Sequence, residues 1–389
     1  MQRSVLPHEV NKPMIKIYAD ENMPYVQQFF AGIGDVTLVN GRTLDAAQVA
    51  DADVLLVRSV TKVNADLLAQ NRQLRFVGSA TIGVDHIDQN YLQQRGIHFT
   101  SAPGCNAQSV VEYVLSSLFV LAEQQQKPLT EWTVGVVGVG QIGSRLVRAL
   151  NALQVKVLQC DPLRAETETN FLHLPFDDLL LQCDALSFHV PLSKGGPYPT
   201  AQLINAESLA RIAPEVAIIN ASRGEVTCNQ ALLAEALAGI CRPLVLDVWQ
   251  QEPQILQQLV PFTRIATAHI AGHSVEGKAR GTEMLYQSLC KLLNIKADLT
   301  IEQFCPPPAV DMLKISTNFS LSDVQNLCRM LYDVRRDDAL FRYHLNGNGF
   351  DWLRKHYPPR REFSSLRLTS FDDSAIPSYL TQLGFSSQH

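Results

Sequence analysis

The chain reads as an α/β protein whose strands form parallel, doubly wound sheets. Two features predict this. Short β-branched runs alternate with longer helical stretches, the order that βαβ units require. Between Trp132 and Ala271, six such runs recur at the spacing of one open sheet.

From the start, Lys16–Ala19 is predicted as a strand and Pro24–Ile33 as helical. Asp53–Val57 and Phe76–Gly78 are further strands. The first runs into Arg58–Ser59–Val60–Thr61–Lys62, and the second into the turn Thr81–Ile82–Gly83. Asn106 stands where the N-cap of a long helix, Val110–Gln125, is expected. The six central strands are Thr133–Val137, Lys156–Cys160, Ala185–His189, Val216–Asn220, Leu244–Val248 and Ile265–Ala268. Gly281–Ile295 reads as a helix, and Pro306–Pro307–Pro308 as a stiff linker. Beyond it, a helix at Asp323–Asp333 and a strand at Ser365–Thr369 are predicted.

A length of 389 residues exceeds one ordinary domain. Hydrophobic residues at 46% and charged residues at 18% suit packed domains rather than disorder. The net charge of -5 supplies no basic field for nucleic acid. An anionic small molecule must therefore be held by a few local Arg, Lys and backbone N–H groups. Eight scattered cysteines contain no C-x-x-C pair, which predicts reduced thiols in a cytoplasmic protein, without a metal site or a disulfide framework. The most apolar stretch, Val110–Ala122, is too short for a bilayer and is broken by Glu112, Ser116 and Ser117. No membrane attachment and no signal peptide are expected. Met14–Ile15–Lys16–Ile17 reads as a natural start, which makes residues 1–13 an expected N-terminal extension.

Gly138–Val139–Gly140–Gln141–Ile142–Gly143 matches G-x-G-x-x-G between a predicted strand and a helical run, Gln141–Leu150. Gly138 permits the tight turn, Gly140 lets backbone approach a pyrophosphate, and Gly143 lets helix pack on strand. The helix N-terminus offers free N–H groups to the phosphate charge. Asp161 follows Gly143 by eighteen residues, at the end of the next strand. A carboxylate there accepts from ribose hydroxyls and repels a 2′-phosphate, which selects NAD over NADP.

Three polar residues follow successive strands of the same unit. Arg223 lies in Asn220–Ala221–Ser222–Arg223–Gly224, Glu252 follows Asp247–Val248–Trp249–Gln250–Gln251, and His269 ends Thr267–Ala268–His269. Ligands of an open α/β sheet bind at the C-terminal ends of its strands, where all three converge. Oxidising an alcohol beside a nicotinamide requires a base for the hydroxyl proton, and an imidazole is suited to it. A carboxylate on its other nitrogen fixes the tautomer, and a guanidinium binds a substrate carboxylate in bidentate fashion. Singly, each has an ordinary structural use, as a core histidine, a surface glutamate or an ion-paired arginine. The ordered trio after a dinucleotide turn favours catalysis.

Val136–Gly143, Asn220–Gly224, Leu246–Pro253 and Ala268–Gly272 resemble the D-isomer-specific 2-hydroxyacid dehydrogenases. Within that family, Ala19–Tyr25, Val57–Asn64, Ala102–Ala107, Gly277–Thr282 and Tyr332–Ala339 resemble the erythronate-4-phosphate dehydrogenases. The resemblance runs over nearly the whole chain from Met14. It implies a Rossmann-type cofactor domain (110–274) inserted in a flavodoxin-like α/β substrate domain (14–109 with 275–298). It further implies a small C-terminal α+β dimerisation domain (299–389) and hence a homodimer. The implied reaction is NAD-dependent oxidation of 4-phospho-D-erythronate to (R)-3-hydroxy-2-oxo-4-phosphooxybutanoate, in pyridoxal 5′-phosphate (vitamin B6) biosynthesis. By matching motif, Arg223 and Glu252 are active-site residues and His269 transfers the proton. Ser59 and Thr81 match substrate positions, and Gln141, Ile142, Asp161, Asp247 and Gly272 match cofactor positions.

Two positions depart from the family pattern. His273 stands where relatives carry a substrate-contacting Tyr, and an imidazole also donates a hydrogen bond. Val190 replaces a Thr at a cofactor position, where only backbone contact can remain. His86 and His189 are expected to be structural. Arg354–Lys355, Arg360–Arg361 and Arg367 form a basic stretch expected on a solvated face or a dimer contact. Two alternatives share the main motifs, 3-phosphoglycerate dehydrogenase and, from another class, an NAD-binding corepressor-like protein. The Arg335–Arg336–Asp337–Asp338 motif argues against the first, and the lack of a long disordered tail against the second.

Overall fold

A computed structural model describes residues 14–316, 318–371 and 375–387. The expected extension, residues 1–13, lies outside the described residues. The chain forms two compact units. One comprises the described residues up to Cys105 with Lys278–Cys305, and the other Asn106–Gly277 with Pro306 onward. The residues from Pro306 onward thus share a compact unit with the six-stranded sheet.

The first unit holds five parallel strands: β1 (Ile15–Asp20), β2 (Gly34–Val39), β3 (Val54–Val57), β4 (Phe76–Ser79) and β5 (His98–Ser101). Their order is β2-β1-β3-β4-β5, the flavodoxin-like arrangement that the resemblance implies. β3 and β4 are buried throughout, as central parallel strands covered on both faces must be. Their side chains alternate between two cores, with Val54, Leu56 and Phe76 on one face, beside Ile17 of β1, and Leu55, Val57 and Val77 on the other.

The second unit contains β6 (Thr133–Val137), β7 (Lys156–Cys160), β8 (Ala185–Phe188), β9 (Ala217–Asn220), β10 (Leu244–Leu246) and β11 (Ile265–Ala266). All six predicted strands are present, parallel, in the order β11-β10-β9-β8-β6-β7. The order turns back at β6, so the loop after β6 occupies the switch point between β7 and β8. A three-stranded parallel sheet completes the unit, with β12 (Met312–Ile315) and β14 (Ser386–Ser387) flanking β13 (Arg367–Ser370).

The helix Ala107–Gln124 is buried along most of its length, which explains its apolar run without a membrane. No helix among the described residues is long and apolar enough to cross a bilayer. Ile315, Val324, Leu327, Phe363, Leu368 and Leu380 of the third segment join one core with this helix and with Val134 and Val136 of β6. Asn106 occupies the N-cap, but its side chain makes no cap bond, a departure from the sequence expectation. The helix predicted from Gly281 starts at Val275, because Ser274 Oγ accepts from Gly277 N–H and caps it earlier.

Candidate active site

The turn after β6 has the geometry that a dinucleotide requires. Gly138 has φ +85, and a Cβ there meets the His189 carbonyl at 2.9 Å and Val190 Cγ1 at 2.7 Å. Gly143 opens the helix Gly143–Ala152 and lies so close to the strand that a Cβ meets Gly138 O at 2.0 Å. Around Gly140 nothing lies within 4 Å of a Cβ position, so its backbone is open to a ligand. Gln141 is exposed and Ile142 half-buried at the N-cap. This is the cradle that a pyrophosphate fits.

Asp161 braces the turn from the end of β7. Its carboxylate accepts from Val139 N–H at 2.8 Å and Arg164 N–H at 3.1 Å, which leaves lone pairs for ribose hydroxyls. Arg164 donates to Val139 O at 2.9 Å and pairs with Glu168, while its guanidinium lies 4.3 Å from the Phe171 ring centroid.

Arg223, Glu252 and His269 follow β9, β10 and β11, three neighbouring strands. Asn220, at the end of β9, builds the first turn. Its Nδ2 donates to Arg223 O at 2.9 Å and its Oδ1 accepts from Ser222 N–H and Oγ. Gly224 packs so tightly on the next turn that a Cβ meets Trp249 O at 1.9 Å. Arg223 is half-buried, with Nη1 donating to Ser222 O.

The structure brings Glu252 and His269 together. Glu252 Oε2 lies 2.7 Å from His269 Nδ1, and its Oε1 accepts from Trp249 N–H at 2.9 Å. A carboxylate only accepts, so Nδ1 carries the hydrogen and Nε2 keeps a lone pair. The imidazole is partly open, with its side chain 35% exposed. His269 has φ 56, a left-handed conformation that persists in a bulky residue only when its surroundings impose it. Buried Asp247 imposes it. Its backbone carbonyl accepts from His269 N–H, and its carboxylate accepts from Ile270 N–H, Ala271 N–H and Thr267 Oγ1. Burial pushes the Asp247 carboxyl upward, opposed by His269 and these donors. Asp247, expected at the cofactor, thus directs three of its contacts to the turn that holds His269.

Gly272 ends that turn against Asn106, whose Nδ2 a Cβ meets at 2.1 Å. Sequence reasoning gave Asn106 only a capping role, and no local signal links it to Gly272. His273 is half-buried, with its ring 6.0 Å from that of Tyr357 at 83°. Val190 packs beside the Gly138 turn. His189 is half-buried with its Nδ1 shielded from solvent; desolvation of the ring lowers its pKa to about 3, and its Nε2 meets Ser187 Oγ.

Ser59 and Thr81 follow β3 and β4, neighbouring strands of the first unit. Ser59 is exposed. Arg58 lies 3.9 Å from the buried carboxylate of Asp20. Thr81 Oγ1 donates to Gly83 O and meets Ser79 Oγ, which in turn meets His86 Nε2 at 2.9 Å. The basic stretch expected on a solvated face or a dimer contact is corrected at Arg360, which is 6% exposed within the chain and stacked over the Tyr332 ring. No cluster of metal-ligating side chains occurs among the described residues.

Residues 116–271 match the family described as D-isomer specific 2-hydroxyacid dehydrogenase, NAD binding domain. Residues 304–384 match a domain of unknown function. The chain is 49% identical to an erythronate-4-phosphate dehydrogenase from Pseudoalteromonas translucida, over 96% of this chain and 99% of that one. It is 50% identical to an enzyme of the same name from Colwellia psychrerythraea, over 96% and 100%. Among solved structures, a D-lactate dehydrogenase from Aquifex aeolicus complexed with NAD and lactic acid superposes with TM-score 0.60 at 23% identity, covering 72% of this chain and 95% of that one. An NAD-bound 3-phosphoglycerate dehydrogenase from Entamoeba histolytica does so with TM-score 0.61 at 19%, covering 75% and 100%. These two likenesses concern the fold. Identity near one half over almost the full length, joined to the Glu252–His269 pair and the Gly138–Gly143 turn, places the chain in the erythronate-4-phosphate dehydrogenase family of D-isomer-specific 2-hydroxyacid dehydrogenases.

Proposed function

We propose that the protein oxidises 4-phospho-D-erythronate to (R)-3-hydroxy-2-oxo-4-phosphooxybutanoate with NAD, in pyridoxal 5′-phosphate biosynthesis, as a cytoplasmic homodimer. The observation that carries the chemistry is the 2.7 Å contact between Glu252 and His269. The substrate follows the printed name of the relatives.

When bound, NAD accepts the hydride released from C2 of the substrate. His269 Nε2 takes the hydroxyl proton, and Glu252 stabilises the imidazolium that forms. Arg223 binds the substrate carboxylate and polarises the adjacent oxygen. Ser59 and Thr81 bind the phosphorylated end, with His273 as a further donor to substrate. Gly138, Gly140, Gln141, Ile142 and Gly143 hold the pyrophosphate, and Asp161 the adenosine ribose. Val190 contributes backbone contact, and Asp247 and Gly272 shape the nicotinamide end.

The test is NADH formation from a panel of phosphorylated three- and four-carbon hydroxy acids. 4-Phospho-D-erythronate is expected to give the highest kcat/KM. Equal or better turnover of 3-phosphoglycerate overturns the substrate assignment, and no NADH with any acid overturns the enzyme reading.

A further inference from the structure

The segment that matches a domain of unknown function sends its most buried charges toward the turn that carries His269. Arg360 is 6% exposed, with its guanidinium carbon 3.8 Å from the Tyr332 ring centroid. Nη1 donates to Ala271 O at 3.3 Å, and Nη2 donates to Ser109 O. Nη2 also lies 3.6 Å from Glu112 Oε2. The backbone carbonyl of Arg360 accepts from Val275 N–H at 2.9 Å. Its neighbours continue the seam. Arg361 pairs with Glu276, and Glu362 Oε1 accepts from Ser274 Oγ and Ser109 Oγ.

The residues 269–276 are therefore held from two sides. Asp247 takes the N–H groups of Ile270 and Ala271, and Arg360 gives a donor to the carbonyl of Ala271. A positive φ at His269 must be imposed from outside. The carboxylate fixes the 269–270 and 270–271 peptides by their N–H groups, and a rigid planar guanidinium fixes the next peptide, 271–272, by its carbonyl. Leucines and valines would seal the same core, but they cannot orient a carbonyl. A buried cation beside a catalytic turn is a costly choice if packing alone were needed.

We propose that the third segment acts in catalysis through Arg360, a positioning residue that locks the Ala271 peptide and so aims the His269 imidazole. This rests on the reading of His269 as the base. The segment is an internal buttress of the proton-transfer geometry, in addition to any part it plays between subunits.

The experiment compares four full-length variants by steady-state kinetics and thermal unfolding. Arg360→Met keeps an unbranched side chain beside Tyr332 and removes the stacked guanidinium with its donors. Arg360→Met with Glu112→Gln also replaces the buried carboxyl that faced the guanidinium and safeguards folding. Leu380→Ala damages the buried core of the same segment without touching the turn. His269→Asn tests the underlying reading. Both Arg360 variants are expected to lower kcat by about 10–100-fold, the cost of a catalytic group displaced by about 1 Å. KM for NAD should stay within about twofold, and Leu380→Ala should lower the Tm while kcat at 25 °C stays within about twofold. Normal kcat in the Arg360 double variant, or an equal loss in Leu380→Ala, overturns the proposal while a crippled His269→Asn leaves the base assignment standing. Normal turnover in His269→Asn sinks the base reading and the proposal with it.

Discussion

The turn that carries His269 and the turn that carries Ser59 both follow buried parallel strands, yet they are built in opposite ways. Around His269 the N–H groups of residues 269–271 and the carbonyl of Ala271 have buried partners from elsewhere in the chain, Asp247 on one side and Arg360 on the other. Around Ser59 the turn closes locally, with Thr61 N–H donating to Arg58 O, and Ser59 itself is exposed. A proton-transfer group must be held within a few tenths of an ångström, so it is locked by the core. A phosphate is a large, multiply charged target that several flexible donors can meet from solvent.

Substitutions should expose that contrast. His269→Asn removes the proposed base from the locked turn and is expected to lower kcat by about 10²–10⁴-fold, with little change in NAD affinity. Stopped-flow or steady-state NADH formation checks it, and near-normal turnover refutes it. Ser59→Ala removes one of several donors, so its effect should be smaller. One charge-assisted hydrogen bond is worth about 1.5–3 kcal/mol, or roughly 10–150-fold in kcat/KM. Plain D-erythronate should lose more than that on the wild type, in kcat as well as KM, because phosphate binding positions C2. Equal reaction of the two substrates would show that the phosphate goes unrecognised.

The same contrast explains what could be read from the sequence. The Gly138–Gly143 turn was legible because each glycine acts on neighbours within the motif or on the adjacent strands. The central strands were legible because VLLV and AIIN leave no polar face. The edge strand Gly34–Val39 was not, since Asp35, Thr37 and Leu38 are half or fully exposed and weaken its pattern. The helix Val334–Asn348 hid behind Arg335, Arg336 and Asp338, although Val334, Asp337, Phe341 and Leu345 line its buried face. Arg360 reads from sequence as part of a solvated face or a dimer contact because its partners lie 89 and 251 residues away. A run of arginines and prolines gives no local sign of burial.

Asp161 belongs to both kinds of turn, since it braces Val139 and still has acceptor capacity to spare. Asp161→Ala is expected to raise KM for NAD about tenfold, the value of one hydrogen bond to a charged group. It should also narrow the preference for NAD over NADP, because the like charge that meets a 2′-phosphate is gone. Measuring kcat/KM with both cofactors decides it. A wild type that already uses NADP as well as NAD contradicts the assignment.

The smallest effect concerns stability, and it tests how the buttress behind His269 is charged. Glu112 is fully buried, and burial, with Glu362 beside it and Arg360 opposing, pushes its carboxyl up to about 8 from an ordinary 4.5. Its Oε1 accepts from Phe363 N–H at 2.8 Å, but Oε2 has no hydrogen-bond partner and reaches Arg360 only at 3.6 Å. A carboxyl whose pKa is higher folded than unfolded binds its proton more tightly in the native state. Its stabilising contribution is complete below about 4.5 and is lost as the pH rises through about 8. Glu112→Gln keeps the shape and removes the titration. Its Tm relative to wild type should therefore rise between pH 5 and pH 8.5, by about 2–4 °C for each kcal/mol involved. Calorimetric or fluorescence melts across that range measure it. A constant Tm difference would mean that Arg360 holds Glu112 ionised throughout, and that the catalytic turn rests on a permanent ion pair.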